Sequence, residues 1–205
     1  MLVTDRKRCA RRSLAECVAD AIEGGVNVVQ LREKDLPAGE LLQLARQLRG
    51  VCGTRALLIV NDRLDVALLS GADGVHLGSK ALPVAAARQF LPPSMRVGRS
   101  VHSVNEARQA DLDGADYVLA GTIFPSASHA DAIPAGTSFL RDLTARVGIP
   151  VVAIGGINPG NVAHCWEAGV EGIAAISSIL DPEDPREAAS RLLPPAEEEP
   201  ACASS

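Results

Sequence analysis

Aromatic side chains are nearly missing from this chain, which has one Trp, one Tyr and three Phe in 205 residues. Proteins that stack nucleic-acid bases need aromatic platforms and a basic face. This chain has neither, and its formal charge is −5, so nucleic acid is not an expected partner. Cysteine is sparse and unpatterned. Cys9, Cys17, Cys52, Cys165 and Cys202 show no Cys-x-x-Cys or zinc-ligand spacing and read as reduced structural thiols. No apolar run approaches the roughly 20 residues that a membrane-spanning helix needs. Nor does a basic segment followed by an apolar core and cleavage site open the chain, so the expected location is the cytoplasm, with no membrane contact.

What is present is a composition 47% hydrophobic and 22% charged, with the apolar residues gathered in short Val, Ile and Leu runs. Short apolar runs bounded by turn residues read as parallel strands buried on both faces. They fall near 1–4, 26–31, 56–60, 74–77, 96–100, 117–120, 150–154 and 172–176. Each is followed by a helical pattern, over 13–23, 37–52, 64–70, 83–91, 103–113, 138–147, 159–168 and 185–193. Eight βα units at this spacing predict one α/β domain over residues 1–193, a (β/α)8 TIM barrel, in preference to an open doubly wound sheet. Pro194 to Ser205 has too little apolar surface to fold alone and reads as a disordered tail. Thr122 to Thr137, rich in Ser, Ala, Gly and Pro, is a long connection that reads either as a lid or as a surface excursion.

Barrel enzymes carry their chemistry at the carboxyl ends of the strands, so the residues there are the candidates. The second strand ends in Gln30, Arg32, Glu33, Lys34 and Asp35, where two cations and an amide suit an anionic small molecule. The third ends in Asn61 and Asp62, whose carboxylate either holds a divalent ion that bridges phosphates or caps the next helix. His76 is either a satisfied core histidine or a site residue. Ser100 and His102 share a side if the segment is extended, although a helix cap at Ser103 explains the same polarity. Thr122 follows the sixth strand. Gly155-Gly156 and Ser177-Ser178 follow the seventh and eighth, where barrels often build a phosphate site from backbone N–H groups, with glycine allowing close approach. His164 reads as outer surface, and Asp181-Pro-Glu-Asp-Pro as a capped turn.

Several ordered segments carry a family likeness: Leu2-Val3-Thr4-Asp5, Val29 to Asp35, Asn61-Asp62-Arg63, Gly71 to Gly78, Gly98 to Ser103, Gly114 to Val118, Ile123-Phe124-Pro125 and Val152 to Ile157. Residues 1–193 resemble the thiamine phosphate synthase and TenI family of (β/α)8 barrels. The synthase joins an aminopyrimidine methyl diphosphate to a thiazole phosphate and expels diphosphate with help from magnesium. The resemblance implies that Gln30, Arg32, Lys34 and Asn61 hold the pyrimidine diphosphate, that Asp62 binds Mg2+, and that Ser100 lines the same pocket. Gly156 and Ser177 would hold the thiazole phosphate, and His76, Ser126, Ser128, Gly155 and Ser178 complete the expected binding set.

Two positions depart from the synthase pattern. A second acidic magnesium ligand is replaced by Ala81, and the cation of the loop after the sixth strand is replaced by His129, a group only partly charged near neutrality. In the TenI branch, thiazole tautomerases move a proton, and Gly98 to Ser103 looks closest to that branch. The acid/base histidine expected there corresponds to Thr122, whose hydroxyl is a poor base, so His102 and His129 stand as substitutes. These departures put a TenI-like tautomerase first, the synthase second and a non-catalytic thiazole phosphate sensor third. A homo-oligomer is compatible with the sequence.

Overall fold

Alternate residues of a strand face opposite sides of its sheet. In this chain the two sets differ chemically, and that difference locates the site. The computed structural model describes residues 1–9, 12–126 and 133–195. In order they form β1 (Leu2–Val3), α1 (Leu14–Glu23), β2 (Val28–Leu31), α2 (Ala38–Cys52), β3 (Leu57–Asn61), α3 (Leu64–Ser70), β4 (Gly74–Leu77) and α4 (Val84–Arg88). There follow β5 (Arg96–Val101), α5 (Val104–Leu112), β6 (Tyr117–Ala120), α6 (Gly136–Thr144), β7 (Val151–Ile154), α7 (Val162–Trp166), β8 (Gly172–Ala174), α8 (Ser177–Leu180) and α9 (Pro185–Ser190). The strands pair in parallel in the order β1 to β8, and a parallel bridge from Leu2 to Ala175 joins the two ends. The expected eight-unit barrel is what forms.

Val29, Leu31, Leu58, Val60, Val75, Leu77, Val118 and Ala153 face the helices and belong to the main core. Val3, Leu119 and Ala174, with Val152, Ile154 and Ile176, form a second, smaller core on the inner face. Gln30, Asn61, His76 and Ser100 share that inner parity but lie toward the carboxyl ends of their strands. The barrel is therefore filled with apolar groups below and polar ones above.

Local sequence explains the helix boundaries. In α1 the buried stripe Leu14, Cys17, Val18, Ala21 and Ile22 has helical spacing, and Ser13 with Glu16 forms a capping box. Three helices are clearly shorter than their apolar patterns, α9 among them, which ends at Ser190. α4 spans Val84–Arg88, confined between Pro83 and Pro92-Pro93. α7 starts at Val162 because Asn158 and Asn161 fold the preceding residues into a side-chain-bonded turn. α8 is not foreseen in the sequence, since four residues after a strand carry too little periodicity to register. The 194–205 tail lies mostly outside the described residues, as does Cys202. The other four cysteines are buried free thiols.

At the amino-terminal ends of the strands one device recurs. Asp73 accepts the N–H of Leu58 at 2.7 Å, Asp116 that of Val97 at 2.6 Å and Glu171 that of Val151 at 2.7 Å. Each acid precedes an even-numbered strand and satisfies an early N–H of the odd one before it. Arg49 and Arg88 pair with the first two of these acids. This end of the barrel is built for register, which leaves the opposite end free for chemistry. Among the described residues no helix is long and apolar enough to cross a membrane.

Candidate active site

A cavity of about 320 Å3 opens at the carboxyl ends of the strands. Gln30, Arg32, Lys34, Asn61, Asp62, His76, Ser100, His102, Thr122, Ser126, Gly155, Gly156, Ser177 and Ser178 all line it. Ser128 and His129 lie outside the described residues. The cavity also has apolar walls that the sequence reading did not include, among them Leu119, Ile154 and Ile176.

On the first wall, the segment that leaves β2 divides its charged residues between two jobs. Glu33 is 6% exposed and accepts from Thr4 Oγ1 at 2.8 Å, from the Arg6 backbone at 3.0 Å and from Arg6 Nη1 at 2.9 Å. Asp35 takes the same guanidinium at 2.6 and 3.0 Å and Lys7 at 2.9 Å. Hydrogen bonds from Arg6 and then Lys7 hold the Asp35 carboxyl well below the usual carboxylate range. The odd-numbered acids are thus consumed in fixing the strand end, while Arg32 and Lys34 are delivered to the cavity. Neither cation has a carboxylate partner among the described residues, so their charge remains for a ligand. The Thr4 and Glu33 contributions escape a sequence reading, because a charge cluster does not reveal which members pair internally.

The floor of this wall is a directed chain. Asn61 Nδ2 donates to Asp62 Oδ2 at 2.8 Å, since a carboxylate can only accept. Asn61 Oδ1 must then face Gln30, whose Nε2 donates to it at 3.1 Å. The amide orientation of Gln30 follows, and its Oε1 is left buried with no hydrogen-bond partner among the described residues. An orphaned buried acceptor costs about 1–3 kcal/mol, so this atom is a candidate to accept a donor from a ligand.

Asp62 has φ 59°, the one non-glycine with positive φ among the described residues. Such backbone is unfavourable for a residue with a Cβ, and here three hydrogen bonds hold it. Its N–H donates to His76 O at 2.8 Å and its Oδ1 accepts from Gly78 N at 2.8 Å, alongside the Asn61 contact. The helix-cap alternative for Asp62 is overturned, since the cap position of α3 is Arg63 and the Asp62 carboxylate faces β4 instead. The donor set fits a divalent ion carried largely by phosphate oxygens, because Mg2+ is commonly held by one or two carboxylates plus substrate phosphates. No group of three His, Cys, Asp or Glu suited to a metal occurs among the described residues.

His76 answers to both of its readings. It is 1% exposed, yet it borders the cavity through its partners. Nε2 lies 2.8 Å from Ser100 Oγ and Nδ1 lies 3.2 Å from the Tyr117 hydroxyl. Burial pushes its pKa down to about 4, so the ring is neutral near pH 7. With both nitrogens occupied, direct substrate binding by the ring is not what the structure provides. His102 is exposed at the rim, and its Nδ1 donates to Gly121 O at 2.6 Å, which leaves Nε2 as the accepting nitrogen of the neutral ring. Ser103 does cap α5, accepting from Glu106 N, so local polarity there serves the cap as well. His164 is surface, as expected.

The opposite wall comes from β6, β7 and β8. Gly155 and Gly156 have φ of +103° and +65°, and a Cβ on Gly156 would lie 2.7 Å from Phe124 O. A Cβ on Gly155 would lie 2.6 Å from Thr122 Cγ2, so Thr122 is a packing neighbour of this turn. Ser178 Oγ donates to Ile157 O at 2.5 Å, which occupies the hydroxyl proton expected to serve a ligand. Ser177 lines the cavity as the first residue of α8. The long 122–137 connection is tied at its base, where Ala135 N and Gly136 N donate to Thr122 O and Ile123 O.

Comparisons with known proteins agree with this architecture. A family model described as thiamine monophosphate synthase matches residues 1–179. The thiamine-phosphate synthase of Moorella thermoacetica is 46% identical over 183 residues, covering 88% of this chain and 87% of that protein. The thiamine-phosphate synthase of Clostridium novyi is 42% identical, covering 93% and 95%. Among solved structures, thiamine phosphate pyrophosphorylase from Pyrococcus furiosus has a TM-score of 0.86 and 41% identity, covering 93% of this chain and 91% of its own. These relatives reverse the expected order of activities, because they carry the synthase name and give the tautomerase no support.

Proposed function

The chain belongs to the thiamine monophosphate synthase family, and on that premise we propose that it couples an aminopyrimidine methyl diphosphate to a thiazole phosphate, releasing diphosphate. The carrying observation is that Arg32 and Lys34, with the orphaned Gln30 Oε1 beside them, line the same cavity as Gly155, Gly156 and Ser177. A tautomerase handles one phosphorylated thiazole and has no use for Arg32, Lys34 and Asp62 across from the Gly155-Gly156 wall.

In this reading Gln30 Oε1 accepts from the amino group of the pyrimidine, and Arg32 and Lys34 hold the diphosphate. Loss of diphosphate builds negative charge on the leaving group, so fixed cations and donors aimed there favour the transition state over the ground state. Asp62 would hold Mg2+, which when bound supplies further neutralisation of the diphosphate. Gly156, with the hydroxyl and N–H of Ser177, would hold the thiazole phosphate so that its ring nitrogen meets the carbon losing diphosphate. The apolar residues Leu119, Ile154 and Ile176 keep water from that carbon.

The test is to supply purified protein with both substrates and Mg2+ and to follow thiamine phosphate and diphosphate together. Equal formation of the two supports the proposal. Conversion of a thiazole tautomer without thiamine phosphate would restore the tautomerase reading.

A further inference from the structure

Tyr117 is the single tyrosine of the chain and is 8% exposed. Its register partner on β5 is Gly98, whose partner on β4 is His76. A Cβ on Gly98 would collide with the Tyr117 ring. The missing side chain therefore opens a gap across which residues two strands apart meet, with ring centroids 5.7 Å apart.

Proton counting fixes the direction of the bonds that result. A buried phenol hydroxyl needs an acceptor, and His76 Nδ1 is the one it has among the described residues. A neutral imidazole that accepts at Nδ1 carries its proton on Nε2 and donates there to Ser100 Oγ. Ser100, with its oxygen already accepting from the ring, turns its own proton toward the cavity it lines. The opposite tautomer would leave the buried Tyr117 proton without a partner.

We infer that Tyr117 is a positioning residue: acting through His76, it fixes Ser100 as a hydrogen-bond donor aimed into the cavity. The role of that donor rests on the synthase reading, in which the diphosphate and the polar edge of the pyrimidine lie on this side. A serine free to rotate could donate to His76 instead and present a lone pair to an anionic group. The Tyr117–His76 pair removes that option at no cost in cavity volume.

Tyr117→Phe keeps the ring over Gly98 and deletes the hydroxyl. Ring-nitrogen NMR of histidine-labelled protein, with His76 assigned by its loss in His76→Gln, is expected to show the Nε2–H tautomer in the parent. The variant is expected to lose that preference. This readout needs no activity, so it stands or falls apart from the proposed reaction, and an unchanged tautomer overturns the inference. With synthase turnover in hand, Tyr117→Phe should lower kcat roughly tenfold while both KM values stay within about twofold. In a Ser100→Ala background the same substitution should change kcat no further. An undiminished loss in that background, or an unaltered kcat in Tyr117→Phe alone, contradicts action through Ser100.

Discussion

The ring of Tyr117 lies across Gly98, in the space a side chain there would need. Strand β5 therefore contributes an absence to the inner layer, and its neighbours on both sides use it. Gly98→Ala should displace the ring and cost about 1–3 kcal/mol of stability, the usual range for overfilling a packed interior. Chemical unfolding measures the loss. The same variant should break the bond from Tyr117 to His76, which separates it from a mutation that destabilises elsewhere in the barrel.

Gln30 tests the floor of the cavity. Gln30→Met keeps the volume and removes both the orphaned acceptor and the donor to Asn61 Oδ1, so the gain at one atom is offset by the loss at the other and folding stability should change by less than about 1 kcal/mol. The KM for the aminopyrimidine substrate should rise by about tenfold to a hundredfold, as expected when a buried ligand donor loses its acceptor. Steady-state kinetics with each substrate varied in turn should leave the KM for the thiazole phosphate nearly unchanged. An equal rise for both would mean that the substitution reshaped the cavity instead.

Asp73 tests the division of the barrel into a structural and a functional end. It accepts from Leu58 N and pairs with Arg49, far from the cavity. Asp73→Ala leaves an early strand N–H unpaired and should cost about 1–3 kcal/mol. Activity per folded molecule should be unaffected, which thermal unfolding and kinetics on one preparation can establish.

His76 predicts a pH dependence of stability. Its pKa falls from 6.5 to about 4 on burial, so the unfolded chain binds the proton more readily. The stabilisation is complete above 6.5 and is lost as pH falls toward 4. Between about pH 7.5 and about pH 5 the loss should reach about 2 kcal/mol. Urea unfolding of the parent and of His76→Gln isolates it, since the variant should lack this part of the acid slope.

How much of this could be seen in the sequence follows from the range over which each feature acts. Strand and helix patterns are local, so all eight βα units were legible, and α8 was not because four residues carry no period. The cavity residues stood out because polar groups end apolar runs, and every expected one within the described residues does line the cavity. What the sequence hid is pairing. Glu33 looks like Arg32 and Lys34 until the fold pairs it with Thr4 and Arg6. Ser178 looks like Ser177 until its hydroxyl is found donating to Ile157 O. Tyr117 reads as a plain strand residue because its partner is two strands away and its opportunity is a glycine on the strand between. The preference for the tautomerase rests on the likeness of Gly98 to Ser103 and on Ala81 and His129, two substitutions that weaken a diphosphate site without removing Arg32, Lys34 or Asp62.

The central claim is that one cavity holds two phosphorylated substrates at once, on opposite walls. Calorimetric titration of thiazole phosphate into protein saturated with an unreactive aminopyrimidine diphosphate analogue and Mg2+ tests it most directly. The account predicts one thiazole phosphate bound per chain, at an affinity equal to or tighter than that of the protein alone. Competition, with the analogue abolishing thiazole phosphate binding, would contradict it.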